Sequence, residues 1–179
     1  MTPEGHFSAE LLPGAYELQV IAGGFYVDSI QAGSTDVLSD GLTVTEAGIS
    51  DLRVTLATGG GKIEGTFVNL SSLKAPDPNG DNPDMAMVAL LAVRKHGSAL
   101  IPTLTWVPPG HFEVPGLAPG EYTLYAWQGN QEIEYRNPAV LQTMSSSAVS
   151  EHVRQGETEQ VSLTVIPLAK EAKQAKEKP

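Results

Sequence analysis

One phrase occurs twice in this chain. Gly5-His6-Phe7 followed by Leu11-Leu12-Pro13-Gly14-Ala15-Tyr16 returns as Gly110-His111-Phe112 followed by Leu117-Ala118-Pro119-Gly120-Glu121-Tyr122. The offset is 105 residues at the Phe and 106 at the Tyr. Solenoid repeats run to about 20–50 residues, so a period this long belongs to whole domains. The first copy opens the chain, whereas the second sits deep inside its own unit. The expected organisation is therefore a partial β-domain over 1–57, the back half of its fold, then a Gly linker at 58–61, a complete β-domain over 62–168 and a charged flexible tail over 169–179.

The phrase has a mechanical reading. Leu-x-Pro-Gly makes a tight reversal, with Pro presetting φ and Gly taking a positive φ. The Tyr two residues after that Gly enters the core at the start of a strand. Its hydroxyl reaches back to the turn backbone, the arrangement called a tyrosine corner in sandwich folds.

Short alternating runs fill the rest of the chain, separated by many of the 18 Gly and 13 Pro, a pattern of strands and turns. Strands are expected at Tyr16–Ile21, Tyr26–Ile30 and Asp51–Leu56, the last with Leu52, Val54 and Leu56 inward. Thr58-Gly59-Gly60-Gly61 reads as flexible. Ile63, Gly65 and Phe67 point one way in the next strand. Lys74 to Asp84 is a loop, Met85 to Val93 a central strand and Arg94-Lys95-His96-Gly97 the turn leaving it. Leu100–Trp106 and His111–Val114, flanking Pro108-Pro109-Gly110, are expected to pair as a hairpin. Tyr122–Trp127 matches Tyr16–Ile21, Gln128–Ser150 is an irregular excursion, and Thr158–Ile166 closes the unit with Val161, Leu163 and Val165 inward.

Composition removes several classes of function. The net charge of −10 disfavours nucleic acid, which needs clustered Lys and Arg. No apolar run approaches the length of a membrane-spanning helix. Cysteine is absent, which excludes disulfides and thiolate chemistry without locating the protein. Met1-Thr2-Pro3-Glu4 is not the start of a signal peptide. No cofactor is expected.

The stretch from Gly110 to Trp127 resembles the carboxypeptidase regulatory-like domains, which are transthyretin-like, Ig-like β-sandwiches of about seven strands related to the collagen-adhesin B-type domains. Gly61-Lys62-Ile63-Glu64-Gly65-Thr66-Phe67-Val68 resembles the opening strand of that family. The resemblance covers 62–167 and the last part of a preceding copy across 5–57. It implies an all-β, non-catalytic module of bacterial envelope or secreted proteins. The sequence departs from the family at Trp106-Val107-Pro108-Pro109-Gly110, where a polar turn is usual. The intramolecular isopeptide bond of the collagen-adhesin relatives is not expected, because Tyr122–Trp127 lacks the acidic residue it needs.

Few constellations carry chemistry. His6 and His111 are equivalent positions in two copies and do not converge on one metal; His96 lies in a basic turn and His152 in a surface strand. Asp77, Asn79 and Asp81 have the spacing that opens a calcium loop, with Asp84 as a further oxygen. Asn82 stands where such a loop requires Gly, and Val88 where it requires Glu, so a solvated loop is the competing reading. Ser145-Ser146-Ser147 lacks a nucleophile elbow, and Glu132 with Glu134 lacks any sign of burial. Tyr125 and Trp127 project from the face opposite Tyr122, Leu124 and Ala126. They either stack on sugar rings or form a satellite core under the 128–150 excursion.

The expected function is a spacer or interaction module of a larger surface or secreted protein. The alternatives are a carbohydrate-binding module using Tyr125 and Trp127, or an assembly subunit completed by strand addition. A protein partner or a polysaccharide fits these readings, and the oligomeric state is not encoded in any motif.

Overall fold

The repeated reversal opens the first unit. β1 (Gly14–Tyr16) follows Pro13, and the Tyr16 hydroxyl donates to the Leu12 carbonyl at 2.8 Å. The computed structural model describes residues 5–20, 23–73, 87–129 and 133–167. β2 (Tyr26–Ala32) and β3 (Thr35–Asp36) lead into a single helical turn, α1 (Val37–Asp40), and then β4 (Leu42–Val44) and β5 (Leu52–Ala57). Asp36 starts α1 by accepting from the Leu38 amide at 3.0 Å, an N-cap. β1 pairs antiparallel with β4, and β2 lies between β3 and β5. Ile30, Val37, Leu42 and Val44 form the small core, with Tyr16, Leu18 and Val20 packed against it.

Three details depart from the sequence expectation. The strand expected over Tyr16–Ile21 ends at Tyr16: β1 pairs with β4 alone, so the backbone beyond Tyr16 has no ladder to join. Leu18 and Val20 nonetheless stay on the core side, while Glu17 and Gln19 are exposed. Leu56 is exposed rather than inward. Gly14 takes no positive φ, so Pro13 alone presets its turn; its counterpart Gly120 does, at 148°.

The second unit begins at β6 (Gly61–Val68), in which Gly61, Ile63, Gly65 and Phe67 are buried and alternate with wetter residues. β7 (Val88–His96) is buried continuously from Val88 to Val93, as a strand covered on both faces must be. β8 (Ala99–Val107), β9 (His111–Leu117), β10 (Gly120–Gln128), the helix α2 (Pro138–Thr143), β11 (Val149–Val153) and β12 (Thr158–Ile166) complete it. Strands β8, β7, β10 and β11 form one layer; β9, β6 and β12 form the other. The layers join at one corner, where Ala126 and Trp127 pair with Val165 and Ile166. Ile63, Phe67, Leu90, Phe112, Leu124 and Leu163 fill the space between. The architecture is an all-β sandwich.

The hairpin expected between Leu100–Trp106 and His111–Val114 does not form. β8 pairs with β7, and β9 pairs with β6. Pro108 and Pro109 offer no N–H to a ladder, and this turn instead carries the chain from one layer to the other. Its Gly110 carbonyl accepts from the Phe67 amide at 2.9 Å. The basic turn is shorter than expected: Arg94, Lys95 and His96 continue β7, leaving Gly97-Ser98 as a two-residue loop with Gly97 at φ 59°. The excursion after β10 contains α2, which starts at Pro138 under an Asn137 cap.

The two copies repeat their pairing. Gly14 lies opposite Val44 in β1–β4, and Gly120 lies opposite Val153 in β10–β11.

Candidate functional site: the junction between the units

Two of the three glycines expected to form a flexible linker, Gly60 and Gly61, are packed, while Gly59 is exposed. Gly61 is the first residue of β6 and is buried. A Cβ on Gly60 would sit 2.9 Å from the Leu117 carbonyl oxygen and 3.1 Å from the Tyr26 ring. One on Gly61 would collide with Val153 Cγ1 and the Arg154 carbonyl oxygen. The backbone is tied as well, the Gly156 amide donating to the Gly59 carbonyl at 2.9 Å. Gly is used here for close approach of backbones, not for freedom.

Two side-chain pairs also link the units. His96 Nε2 lies 2.8 Å from Asp36 Oδ2, joining the β7–β8 end of one unit to the α1 cap of the other. Burial alone would raise the Asp36 pKa, but the hydrogen bonds from His96 and the Leu38 amide outweigh it and hold the carboxyl below its usual range. Arg136 forms a salt bridge to Glu17 and lies 5.4 Å from the centre of the Tyr135 ring. Glu17 and Arg136 also line a cleft of about 400 Å³, walled by Ile30, Val37 and Leu38 on one side and Val93, Ile101 and Leu141 on the other.

The aromatic pair is covered. Tyr125 is 7% exposed and Trp127 is 1% exposed. Leu141 and Met144, from α2 and the residue after it, pack against them with Ala89, Leu91 and Val93. Neither ring has a face on which a sugar could stack, because the excursion forms a second core over the outer face of β7 and β10. Burial raises the Tyr125 pKa, and Trp127 Nε1 has no hydrogen-bond partner among the described residues.

The remaining candidates stay apart. Asp77, Asn79, Asp81, Asp84 and Glu132 lie outside the described residues. His6 and His111 are exposed, and His152 Nδ1 lies 2.5 Å from Glu121 Oε1 at the surface. Ser145–Ser147 forms a 3₁₀ turn with Ser145 Oγ donating to the Gln142 carbonyl at 2.8 Å. Among the described residues, no three acidic, His or Cys side chains gather as metal ligands. Sequence reasoning missed Asp36, Glu17 and Arg136. The Asp-initiated turn at Asp36 was the one legible sign; pairing across units leaves no local pattern.

No family model matches the chain, and no curated protein does. Among solved structures it is similar to a minor pilin of the Gram-positive pathogen Streptococcus agalactiae, at 15% identity and a TM-score of 0.31, over 73% of this chain and 60% of that one. The chain thus spans about three-fifths of the length of that pilin. Among the described residues no helix is long and apolar enough to cross a membrane.

Proposed function

We propose that the chain is a non-catalytic spacer and interaction module of a bacterial surface or secreted protein. It comprises a partial sandwich over 1–57 and a complete one over 62–168, held at a fixed angle. The resemblance of 110–127 to the carboxypeptidase regulatory-like domains supports the class of protein and its place in the cell envelope or outside the cell. The observation that carries the mechanical part is Gly60, wedged between the Leu117 carbonyl and the Tyr26 ring. A joint packed that tightly transmits orientation, whereas a solvated glycine run would not. The Asp36–His96 and Glu17–Arg136 pairs also connect the two units. A partner of such a module would be another protein, positioned by the rigid pair.

The chain has no cysteine, so spin labels can be placed cleanly at Thr43→Cys and Ser162→Cys, both exposed strand positions. Electron–electron resonance should return one narrow distance distribution. A broad distribution, unchanged by Gly60→Val, would reject the fixed joint.

A further inference from the structure

We propose that the second unit is built to bear tension along the chain, with the β6–β12 ladder as its clamp and Asn69 as an added rung. The inference adds a load path to the spacer reading and rests on that reading only for its biological use.

The first and last strands of the unit are neighbours, and they run parallel. Seven positions pair, from Lys62 opposite Thr158 to Val68 opposite Thr164. The chain enters at the start of β6 and leaves at the end of β12, which are opposite ends of the ladder. Tension at Gly61 and Ile166 therefore tries to slide one strand along the other. Every rung resists together, whereas a hairpin pulled open at its end loses its rungs in turn. Forced unfolding is governed by the unfolding rate, so what matters is how many bonds must break before the transition state.

The ladder is reinforced where β6 ends. Asn69 has φ 58°, the one described non-glycine residue in the left-handed region, where Asn is tolerated better than most. That conformation turns its amide across to β12. Nδ2 donates to the Val165 carbonyl at 2.9 Å, and Oδ1 accepts from the Val165 amide at 3.0 Å. The side chain thus imitates a backbone rung one position beyond Val68. At the other end the Lys62 amide donates to the Glu157 carbonyl at 2.9 Å, and midway Gln160 donates to Glu64 at 2.8 Å. Gly65 lets the strands approach closely, since a Cβ there would lie 2.5 Å from the Val161 carbonyl oxygen.

The test is single-molecule force spectroscopy on the full chain, pulled in two directions. Handles before Gly61 and after Ile166 load the ladder in shear. Cysteines at Thr66 and His111, exposed residues paired across β6 and β9, load the fold by peeling. The shear direction should need several-fold more force. Asn69→Gly keeps the left-handed backbone and deletes the amide, so at fixed shear force it should speed unfolding about 5- to 30-fold, the factor for one or two net hydrogen bonds. It should leave the peeling force unchanged. Tyr122→Phe, which weakens the fold away from the ladder, should have a smaller effect in shear. Equal forces in the two directions, or equal sensitivity to Asn69→Gly and Tyr122→Phe, would overturn the clamp. A flexible joint in the spin-label experiment would leave it standing.

Discussion

Tyr122 donates its hydroxyl to the Ala118 carbonyl at 2.9 Å, four residues back across the Pro119-Gly120 reversal. Tyr16 makes the same bond to Leu12 at 2.8 Å in the first unit. The geometry is shared and the surroundings are not: Tyr122 is buried, while Tyr16 is only half-buried. Tyr122→Phe strands a buried carbonyl, which costs about 1–3 kcal/mol, whereas Tyr16→Phe leaves one that water can reach and costs about 1 kcal/mol or less. Urea unfolding of the two variants should rank them in that order.

Burial pushes the Tyr122 pKa up from 10.0 to about 12, against the opposing influence of the Arg94 charge. The folded state therefore holds this proton more tightly than the unfolded chain does. Its contribution, about 2–3 kcal/mol, is complete below pH 10 and fades as the pH rises toward 12. Denaturant midpoints measured across that alkaline window should fall, with a shallower fall in Tyr122→Phe.

Asp36 titrates with the opposite sign. Its folded pKa lies below the unfolded value of 3.8, so its stabilisation is present above that value and disappears as the pH falls through the folded one. Asp36→Ala also removes the cap of α1 and should cost about 1 kcal/mol at neutral pH. Acid unfolding of the variant, followed by circular dichroism, should show a flatter limb than the parent protein.

Gly65 and Gly61 admit no side chain. Gly65→Ala would place a Cβ 2.5 Å from the Val161 carbonyl oxygen and 2.6 Å from the Phe112 ring. Since the obstacle at Val161 is backbone, the strands must separate, and the cost should reach or exceed the 1–3 kcal/mol usual for overpacking. Gly110→Ala, which meets nothing within 4 Å, separates close approach from backbone strain at φ 123°. Melting temperatures should drop more for Gly65→Ala.

Trp127 is a core residue whose indole nitrogen has no partner among the described residues. Trp127→Ala should cost about 3–5 kcal/mol. Trp127→Phe should cost far less, because it also removes the unsatisfied donor. Retention on polysaccharide columns should be the same for Trp127→Phe and the parent protein.

Sequence legibility followed the range of the interaction. Tyr16, Tyr122 and their Pro-Gly reversals are local devices, so their hydrogen bonds could be read from spacing. The alternation in β6 and β12 is equally local and placed Ile63, Phe67, Leu163 and Val165 inward. Pro108-Pro109 reads as a hairpin turn because adjacency in sequence usually means pairing in space, yet β8 and β9 pair with other strands. In a sandwich the chain can instead cross between layers, and nothing within the turn records which layer it enters. Gly60 and Gly61 show the same limit, since a glycine run has one composition whether it is solvated or crushed between strands.

What the residues determined unaided was the class of fold, the twin corners and the inward faces of β6 and β12, all set by backbone preferences and by periodicity within a few positions. What the tertiary structure decided was which strands pair, that α2 hides Trp127, and that Asp36 meets His96. Those outcomes depend on packing between segments far apart in the chain, where burial of whole surfaces outweighs any local preference.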